Sequence, residues 1–262
     1  MVTSMNEQRQ GRQICGYSFW GQPIFYEKVG TGDTCLLFAG DFSSNAQCEG
    51  VLERFLRDLT NCGKKDLAPV GRVGMGRLLL VRSLVFLPCP NPDAGLVKTG
   101  GLPPDSPFYP RIKRLLAGHP AILWSANGRG VDVGRNFNYR FAAYKEQAVT
   151  EPAPFGYGGC FPESEPESAA FASFSRRLSP RLFVHLTHGV GALSYEQKDR
   201  GLEGLCARYA PFEKRETDLS ATPEGWLHQE LGCAYLRISC GFEEEETTYR
   251  LLRPLLFALT AY

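Results

Sequence analysis

The chain has 262 residues, of which 43% are hydrophobic, so it can bury the core of one large domain or two small ones. Its 29 basic and 28 acidic residues leave a formal charge of +1, which gives no electrostatic case for binding nucleic acid or an anionic membrane. No apolar run has the length of a membrane-spanning helix, and residues 1–12 lack the apolar region of a signal peptide. We therefore expect a cytoplasmic protein in which residues 1–12 are flexible.

The nine cysteines form no Cys-x-x-Cys pair and show no zinc-ribbon spacing. Several lie in apolar runs, where buried free thiols are common. Because the sequence shows no export signal, we expect reduced thiols in the cytosol rather than a disulfide framework.

The first third of the chain alternates strand-like segments with turns. Residues 16–24 read as a turn between two strands, and residues 35–39 form a short apolar run typical of a strand buried on both faces. Apolar residues recur at helical spacing through residues 49–59, which predicts a helix there. Residues 78–87 predict another strand, and the prolines of residues 88–93 predict a loop.

The rest of the chain alternates helical and strand-like patterns. A short helix is predicted near residues 111–116, and acidic residues at 163–167 favour the start of a helix that runs to residue 177. Further strands are predicted over residues 181–187 and 233–239, and further helices over residues 202–209, 226–231 and 247–259. Strands separated by helices indicate an α/β fold with a central sheet.

Residues 127–137, which read Asn-Gly-Arg-Gly-Val-Asp-Val-Gly-Arg-Asn-Phe, are the most informative stretch. Arg129 and Arg135 lie among glycines that let the backbone approach a ligand closely. Two planar, permanently charged guanidinium groups near one turn suit the capture of a carboxylate. The alternative is a pair of solvated arginines in an ordinary loop.

The wording of this stretch resembles the Asn-x-Arg-Gly-Val-Asp-Leu-Asn-Arg-Asn-Phe segment of zinc carboxypeptidases of the M14 type. Three further segments match that family in the same order: the Gly-x-Ser-x-x-Gly-x-Pro-Ile of residues 16–24, the Pro-x-Pro-Asn-Pro-Asp of residues 88–93 and the Ser-Glu-Pro-Glu of residues 164–167. The resemblance implies one α/β domain over residues 1–262, with a mixed sheet of about eight strands flanked by helices.

The resemblance also implies roles for individual residues. Arg129 matches the arginine that polarises the scissile carbonyl, and Arg135 matches the arginine that holds the substrate's terminal carboxylate. Gly134 stands where the family has an asparagine, so one carboxylate donor is missing. We expect Arg129, Arg135 and the turn at Gly134 to contact the ligand.

The metal ligands of the family are largely replaced. Its His-x-x-Glu pair aligns with Ser43 and Ala46 in Gly40-Asp-Phe-Ser-Ser-Asn-Ala46, and its later histidine aligns with His188. Alanine has no donor atom and a neutral serine hydroxyl is a poor zinc ligand, whereas a catalytic zinc needs three protein ligands. We therefore expect no metal and no other cofactor, with Ser43, Ala46 and His188 as vestigial positions. His185, three residues earlier on a strand, should point to the opposite face from His188.

The general base is replaced as well. Ser239 stands where the family has its catalytic glutamate, and a serine cannot take a proton from water near neutral pH without a base beside it. The nearby acidic residues 243–246 are typical of a solvated helix start. The family's mobile tyrosine has no clear counterpart, with Tyr209 the nearest candidate.

These substitutions favour a family member that has lost metal-dependent peptidase activity but can bind a carboxylate of a peptide or peptidoglycan fragment. One alternative is an active zinc carboxypeptidase in which Asp41 or Cys48 joins His188 as a rebuilt ligand. Another is a structural or partner-binding module in which the two arginines pair with internal carboxylates such as Asp132. The sequence does not specify the oligomeric state.

Overall fold

The computed structural model describes residues 9–196, 199–241 and 244–262. Within these ranges the chain forms one mixed sheet of seven strands, in the order β1-β2-β4-β3-β5-β7-β6. The strands are β1 (Arg9–Tyr17), β2 (Pro23–Val29), β3 (Thr34–Ala39), β4 (Arg82–Leu87), β5 (Leu182–His188), β6 (Ala192–Tyr195) and β7 (Ala234–Cys240). Strands β4, β3, β5 and β7 are parallel, whereas β1, β2 and β6 add antiparallel pairs at the two edges.

Helices cover both faces of this sheet. They are α1 (Ala46–Lys64), α2 (Met75–Val81), α3 (Pro92–Lys98), α4 (Tyr109–Leu116), α5 (Phe141–Gln147), α6 (Pro166–Leu178), α7 (Arg200–Tyr209), α8 (Pro223–Leu231) and α9 (Glu245–Leu259). Two short 3-10 turns cover Ala121–Leu123 and Val133–Arg135. In the described part of the chain, no helix combines the length and apolar character needed to cross a membrane.

Alternate residues of the central strands feed two separate hydrophobic cores. On one face, Leu36 and Phe38 of β3 pack with the buried sides of α1 and α9. On the other face, Leu37 and Ala39 pack with α6, α8 and the aromatic residues of the connecting loops. Because parallel strands with helices on both faces are buried on both sides, β3 reads as a continuous apolar run.

The structure confirms the α/β class with a central mixed sheet, and it differs from the sequence expectation in details. The apolar run of residues 78–87 divides into the end of α2 and strand β4, and Leu80 of α2 is exposed to solvent. The proline-rich stretch leads into α3, where Pro92 occupies the first turn. Asn91 caps this helix, and its side chain accepts a hydrogen bond from Ala94 N. Strand β6 has no counterpart among the predicted elements, and the sheet has seven strands in the described residues rather than about eight.

The N-terminal expectation changes too. Residues 9–12 belong to β1, where Arg9 pairs with Val29 and Gln10 with Lys28, so the backbone there is held by a sheet partner. The remainder of the predicted flexible segment, residues 1–8, lies outside the described residues.

Candidate functional site

The carboxyl ends of β3 and β5 meet beside a short loop after β3, and Asp41 joins them. Its Oδ2 accepts a 2.7 Å hydrogen bond from the backbone N–H of His188, and its Oδ1 accepts one of 2.8 Å from Ser43 N. Asn45 then caps α1 by accepting from Cys48 N. These local bonds fix the backbone on which the family places its first two metal ligands.

A cavity of about 720 Å³ opens at this edge of the sheet. Ser43, Ala46 and His188 all line it, so the structure brings the three aligned metal-ligand positions together. Ile122 and Leu123, both more than half exposed, form an apolar part of its wall. A cavity of this size with a few polar groups is typical of a binding site for a small molecule.

Lys98, at the end of α3, reaches into the same cavity. Its Nζ donates to the carbonyl oxygens of Ser43 at 2.6 Å and Ser44 at 2.9 Å, and it lies 3.4 Å from Ser43 Oγ. Partial burial lowers the pKa of Lys98, while the charges of Asp41 and Glu49 oppose that shift. The ammonium group therefore stands directly beside the position of the first metal ligand.

The donor set does not fit zinc. Across residues 9–196, 199–241 and 244–262, no group of three or more His, Cys, Asp or Glu side chains is arranged to hold a metal ion. Ser43 and Ala46 supply neither a carboxylate nor an imidazole, and the Lys98 ammonium would repel a divalent cation.

The rebuilt ligand set considered above is not assembled either. Both oxygens of Asp41 accept backbone N–H groups. Cys48 is completely buried on the core face of α1. A hydrogen bond with Cys240, together with burial, raises the pKa of Cys48 well above its ordinary value, so its thiol resists forming the thiolate that binds metals.

Ser239, at the general-base position, lies in β7 between Thr187 of β5 and Ala192 of β6. Its Oγ lies close to Gly189, where an added Cβ would come within 2.6 Å. Glu245 and Glu246, in the first turn of α9, both pair with Arg54, and Glu243 lies outside the described residues. The candidate tyrosine, Tyr209, packs beside the core at the end of α7.

The two arginines have different partners within the protein. Arg129 lies over the Phe19 ring and 3.6 Å from Glu165, in a separate cavity of about 320 Å³. Arg135 donates a 2.9 Å bond to the Ser220 carbonyl and lies over the Tyr144 ring. Arg135 ends the 3-10 turn Val133–Arg135, and its bond to Ser220 directs it towards the loop before α8. The expected contacts of the two arginines with a ligand stay a prediction.

Gly134 lies within that 3-10 turn, where an added Cβ would be 3.3 Å from Phe42 Cβ and 3.6 Å from Asp132 Oδ1. Asp132 accepts from Gly156 N at 3.1 Å. Within the described ranges, the ion-pair partners of the two arginines are Glu165 and Asp218 rather than Asp132.

The family-like motifs meet in a buried polar network beside the cavity. Asn127 Nδ2 donates to Glu165 at 2.8 Å and to Glu167 at 3.0 Å. Asp93 accepts from Gly128 N at 3.1 Å and from the Ser18 hydroxyl. Burial raises the pKa of Glu167 to about 7, against hydrogen bonds from Asn127 and the backbone. All four of the family-like motifs therefore hold one another in place through buried side chains.

A second buried cluster fixes the strands behind the cavity. Glu224 of α8 accepts from Arg237 of β7 at 2.5 and 2.9 Å, and it lies 2.6 Å from His185 Nδ1. Although burial alone would raise it, the charges of Arg237 and His185 hold the pKa of Glu224 well below its ordinary range. His185 thus faces α8 while His188 faces the cavity, as their spacing predicted.

Sequence reasoning missed Lys98, Glu224 and Arg237. Lys98 falls in a stretch for which the sequence predicts no helix or strand, and nothing in its local sequence indicates that α3 carries it to Ser43. Arg237 interrupts an apolar strand. Because arginine is rarely buried without a partner, this pattern could have predicted a buried ion pair from the sequence alone.

Comparisons with known proteins agree with this architecture. The family model described as zinc carboxypeptidase (peptidase M14) matches residues 77–225. The gamma-D-glutamyl-L-diamino acid endopeptidase 1 of Lysinibacillus sphaericus is 27% identical over 175 residues, which are 64% of this chain and 42% of that protein. The chain thus spans less than half the length of that relative.

Two solved structures show the same fold. The murein-tripeptide amidase MpaA from Escherichia coli O157 aligns with a TM-score of 0.64 and 16% identity over 97% of this chain and 92% of that chain. Bovine thrombin-activatable fibrinolysis inhibitor, in complex with tick carboxypeptidase inhibitor, aligns with a TM-score of 0.67 and 15% identity over 99% and 95% of the two chains. These structures show the shared fold, and the family model matches more than half of this chain, so the chain belongs to the M14 zinc carboxypeptidase family.

Proposed function

We propose that this family member has lost metal-dependent peptidase chemistry and binds a ligand that carries a carboxylate. One observation carries the proposal: the cavity at the family's metal position persists, but Ser43 and Ala46 line it and Lys98 is bonded to Ser43. A site built in this way needs no metal and no other cofactor. It offers a ligand hydrogen-bond donors, one cation and an apolar wall.

The names of relatives suggest which ligands to test first. One relative is named a gamma-D-glutamyl-L-diamino acid endopeptidase and another a murein-tripeptide amidase. Short peptides and peptidoglycan fragments with a free carboxylate are therefore the ligand class that we propose for this chain. All nine cysteines are free thiols, which supports a reducing compartment such as the cytoplasm.

The proposal is tested by metal content, hydrolysis and binding on the same preparation. Protein purified without added metal and without a histidine tag should contain less than about a tenth of an equivalent of zinc, since a catalytic site needs about three protein donors. It should release no C-terminal residue from peptides with or without added zinc, and it should bind free-acid peptides more tightly than their amides. Near-stoichiometric zinc with chelator-sensitive hydrolysis would instead establish the rebuilt-ligand enzyme.

A partner-binding or structural module is a second candidate. It is favoured by the intramolecular engagement of both arginines, since Arg129 pairs with Glu165 and Arg135 binds the Ser220 carbonyl. This candidate predicts that no free-acid peptide binds at millimolar concentration, whereas a carboxylate-binding protein would distinguish acid from amide.

A further inference from the structure

Lys98 is a cation without a counter-ion in direct contact. Two of its ammonium hydrogens serve the carbonyl oxygens of Ser43 and Ser44. Its contact with Ser43 Oγ, at 3.4 Å, is longer than an ordinary N–H···O hydrogen bond. Among the residues that the structure describes, no carboxylate forms an ion pair with Lys98. A third donor therefore remains for an oxygen that enters the cavity.

The charges of two carboxylates, Asp41 and Glu49, act on Lys98, and both carboxylates already accept hydrogen bonds from the protein. Asp41 accepts from the backbone amides of Ser43 and His188, and Glu49 accepts from the Ser44 hydroxyl at 2.8 Å. Their charges oppose the lowering of the Lys98 pKa by burial, but neither carboxylate forms an ion pair with it. The positive end of the 19-residue helix α1 also faces this cavity, because its first residues line the wall.

We propose that the Lys98 ammonium takes the place of the metal as the cation of this cavity. It opposes zinc binding at the family's metal position and pairs with the carboxylate of the ligand. The group next to that carboxylate would pack on Leu96, Ile122 and Leu123, which line the same cavity. The choice of ligand rests on the proposed function, whereas the opposition to zinc does not.

The first experiment measures carboxylate binding calorimetrically with N-acetylleucine and its amide as probes. In the parent protein the acid should bind at least tenfold more tightly than the amide. Lys98→Met should remove that preference, because it deletes the charge and keeps most of the side-chain volume. Lys64→Met, at an exposed position at the end of α1, is the matched control and should bind as the parent does.

Arg129→Gln and Arg135→Gln distinguish carboxylate binding by the protein from anchoring of that carboxylate by Lys98. Both should keep the preference for the acid. If Arg135→Gln lost it and Lys98→Met kept it, Lys98 would not be the anchoring cation, although the protein would still bind carboxylates. If neither probe bound the parent, the proposed class of carboxylate ligands would be wrong. The zinc-affinity experiment below would then decide whether Lys98 opposes metal binding.

The second experiment restores the family's donors. Ser43→His with Ala46→Glu places an imidazole and a carboxylate beside His188, and the same pair is made with Lys98→Met. Zinc affinity is measured by competition with a chromophoric chelator, and circular dichroism verifies folding. The triple variant should bind zinc at least tenfold more tightly than the double variant, because the ammonium no longer repels the ion. Equal affinities, or no zinc binding by either variant, would overturn the proposal.

Discussion

Asp41 and His188 are joined by a 2.7 Å hydrogen bond from the His188 backbone amide to Asp41 Oδ2, which ties the end of β5 to the loop after β3. These two segments carry the positions that align with the metal ligands of the family. A side chain of the protein itself thus holds together the strand ends around the cavity.

We expect Asp41→Asn to lower the free energy of unfolding by about 1–3 kcal/mol. The neutral amide replaces one acceptor oxygen by an NH₂ group, so either the Ser43 or the His188 amide loses its partner. The measurement is urea-induced unfolding at neutral pH.

Asp105→Asn, in an exposed loop, is the control and should change stability by less than about 0.5 kcal/mol. An Asp41→Asn protein as stable as this control would show that the bond between the strand ends contributes nothing measurable.

Chelation should leave the stability of the protein unchanged. A protein that binds a metal in its native state loses stability when the metal is removed, because binding free energy adds to folding free energy. Ser43 and Ala46 offer no such site, so the melting temperature should be the same in millimolar EDTA and in excess zinc. A reproducible rise of several degrees with zinc would contradict this expectation.

Glu224→Gln should destabilise the fold by about 3–5 kcal/mol at pH 7, because it leaves Arg237 buried without its counter-ion. The parent should also lose stability on acidification. The charges around Glu224 lower its pKa in the folded state, so its contribution is fully present above the unfolded-state value and is lost as pH falls below it. Urea unfolding between pH 7 and pH 3 measures both effects.

Glu216→Gln, in an exposed loop, serves as the comparison and should retain the acid dependence of the parent. If Glu224→Gln showed the same loss of stability on acidification as the parent, the buried ion pair would not be its source.

Glu167 should give the free energy of unfolding the opposite pH dependence to that of Glu224. Its folded-state pKa is about 7, against an ordinary value of 4.5, so between these values the unfolded chain releases a proton that the folded chain keeps. Stability therefore falls as pH rises through this window, by at most about 1.4 kcal/mol per pH unit. Glu167→Gln cannot titrate, so its stability relative to the parent should rise from pH 5 to pH 7.

Glu146→Gln, at an exposed position in α5, should follow the parent across the same range. Parallel pH dependences of Glu167→Gln and the parent would contradict the raised pKa.

The predictable parts of this fold were those in which local pattern and burial agree. The helical spacing around Phe55 and the apolar run that contains Leu37 each have one interpretation, and both elements form as expected. The run before Leu84 was harder, because a short helix and a strand follow each other there without a polar interruption. Periodicity cannot separate two apolar elements of that length.

For the site, the sequence indicated which positions lie close together but not which side chains contact them. Ser43 and His188 line one cavity, as alignment with the family implies. The partner of Arg135 depends on which way the 3-10 turn Val133–Arg135 directs its side chain, and Arg129 meets Glu165 from a distant loop. The approach of Lys98 depends on the packing of α3 against the loop after β3. Such contacts between distant segments leave no local signature.

Asn127, which donates to both Glu165 and Glu167, shows that the family-like motifs have a structural role in this fold. These residues belong to the motifs that resemble the family, and their side chains hold one another in the interior. A search keyed to such motifs therefore detects a shared folding scaffold. Positions 43, 46 and 239, which align with the family's metal ligands and general base, lie outside those motifs.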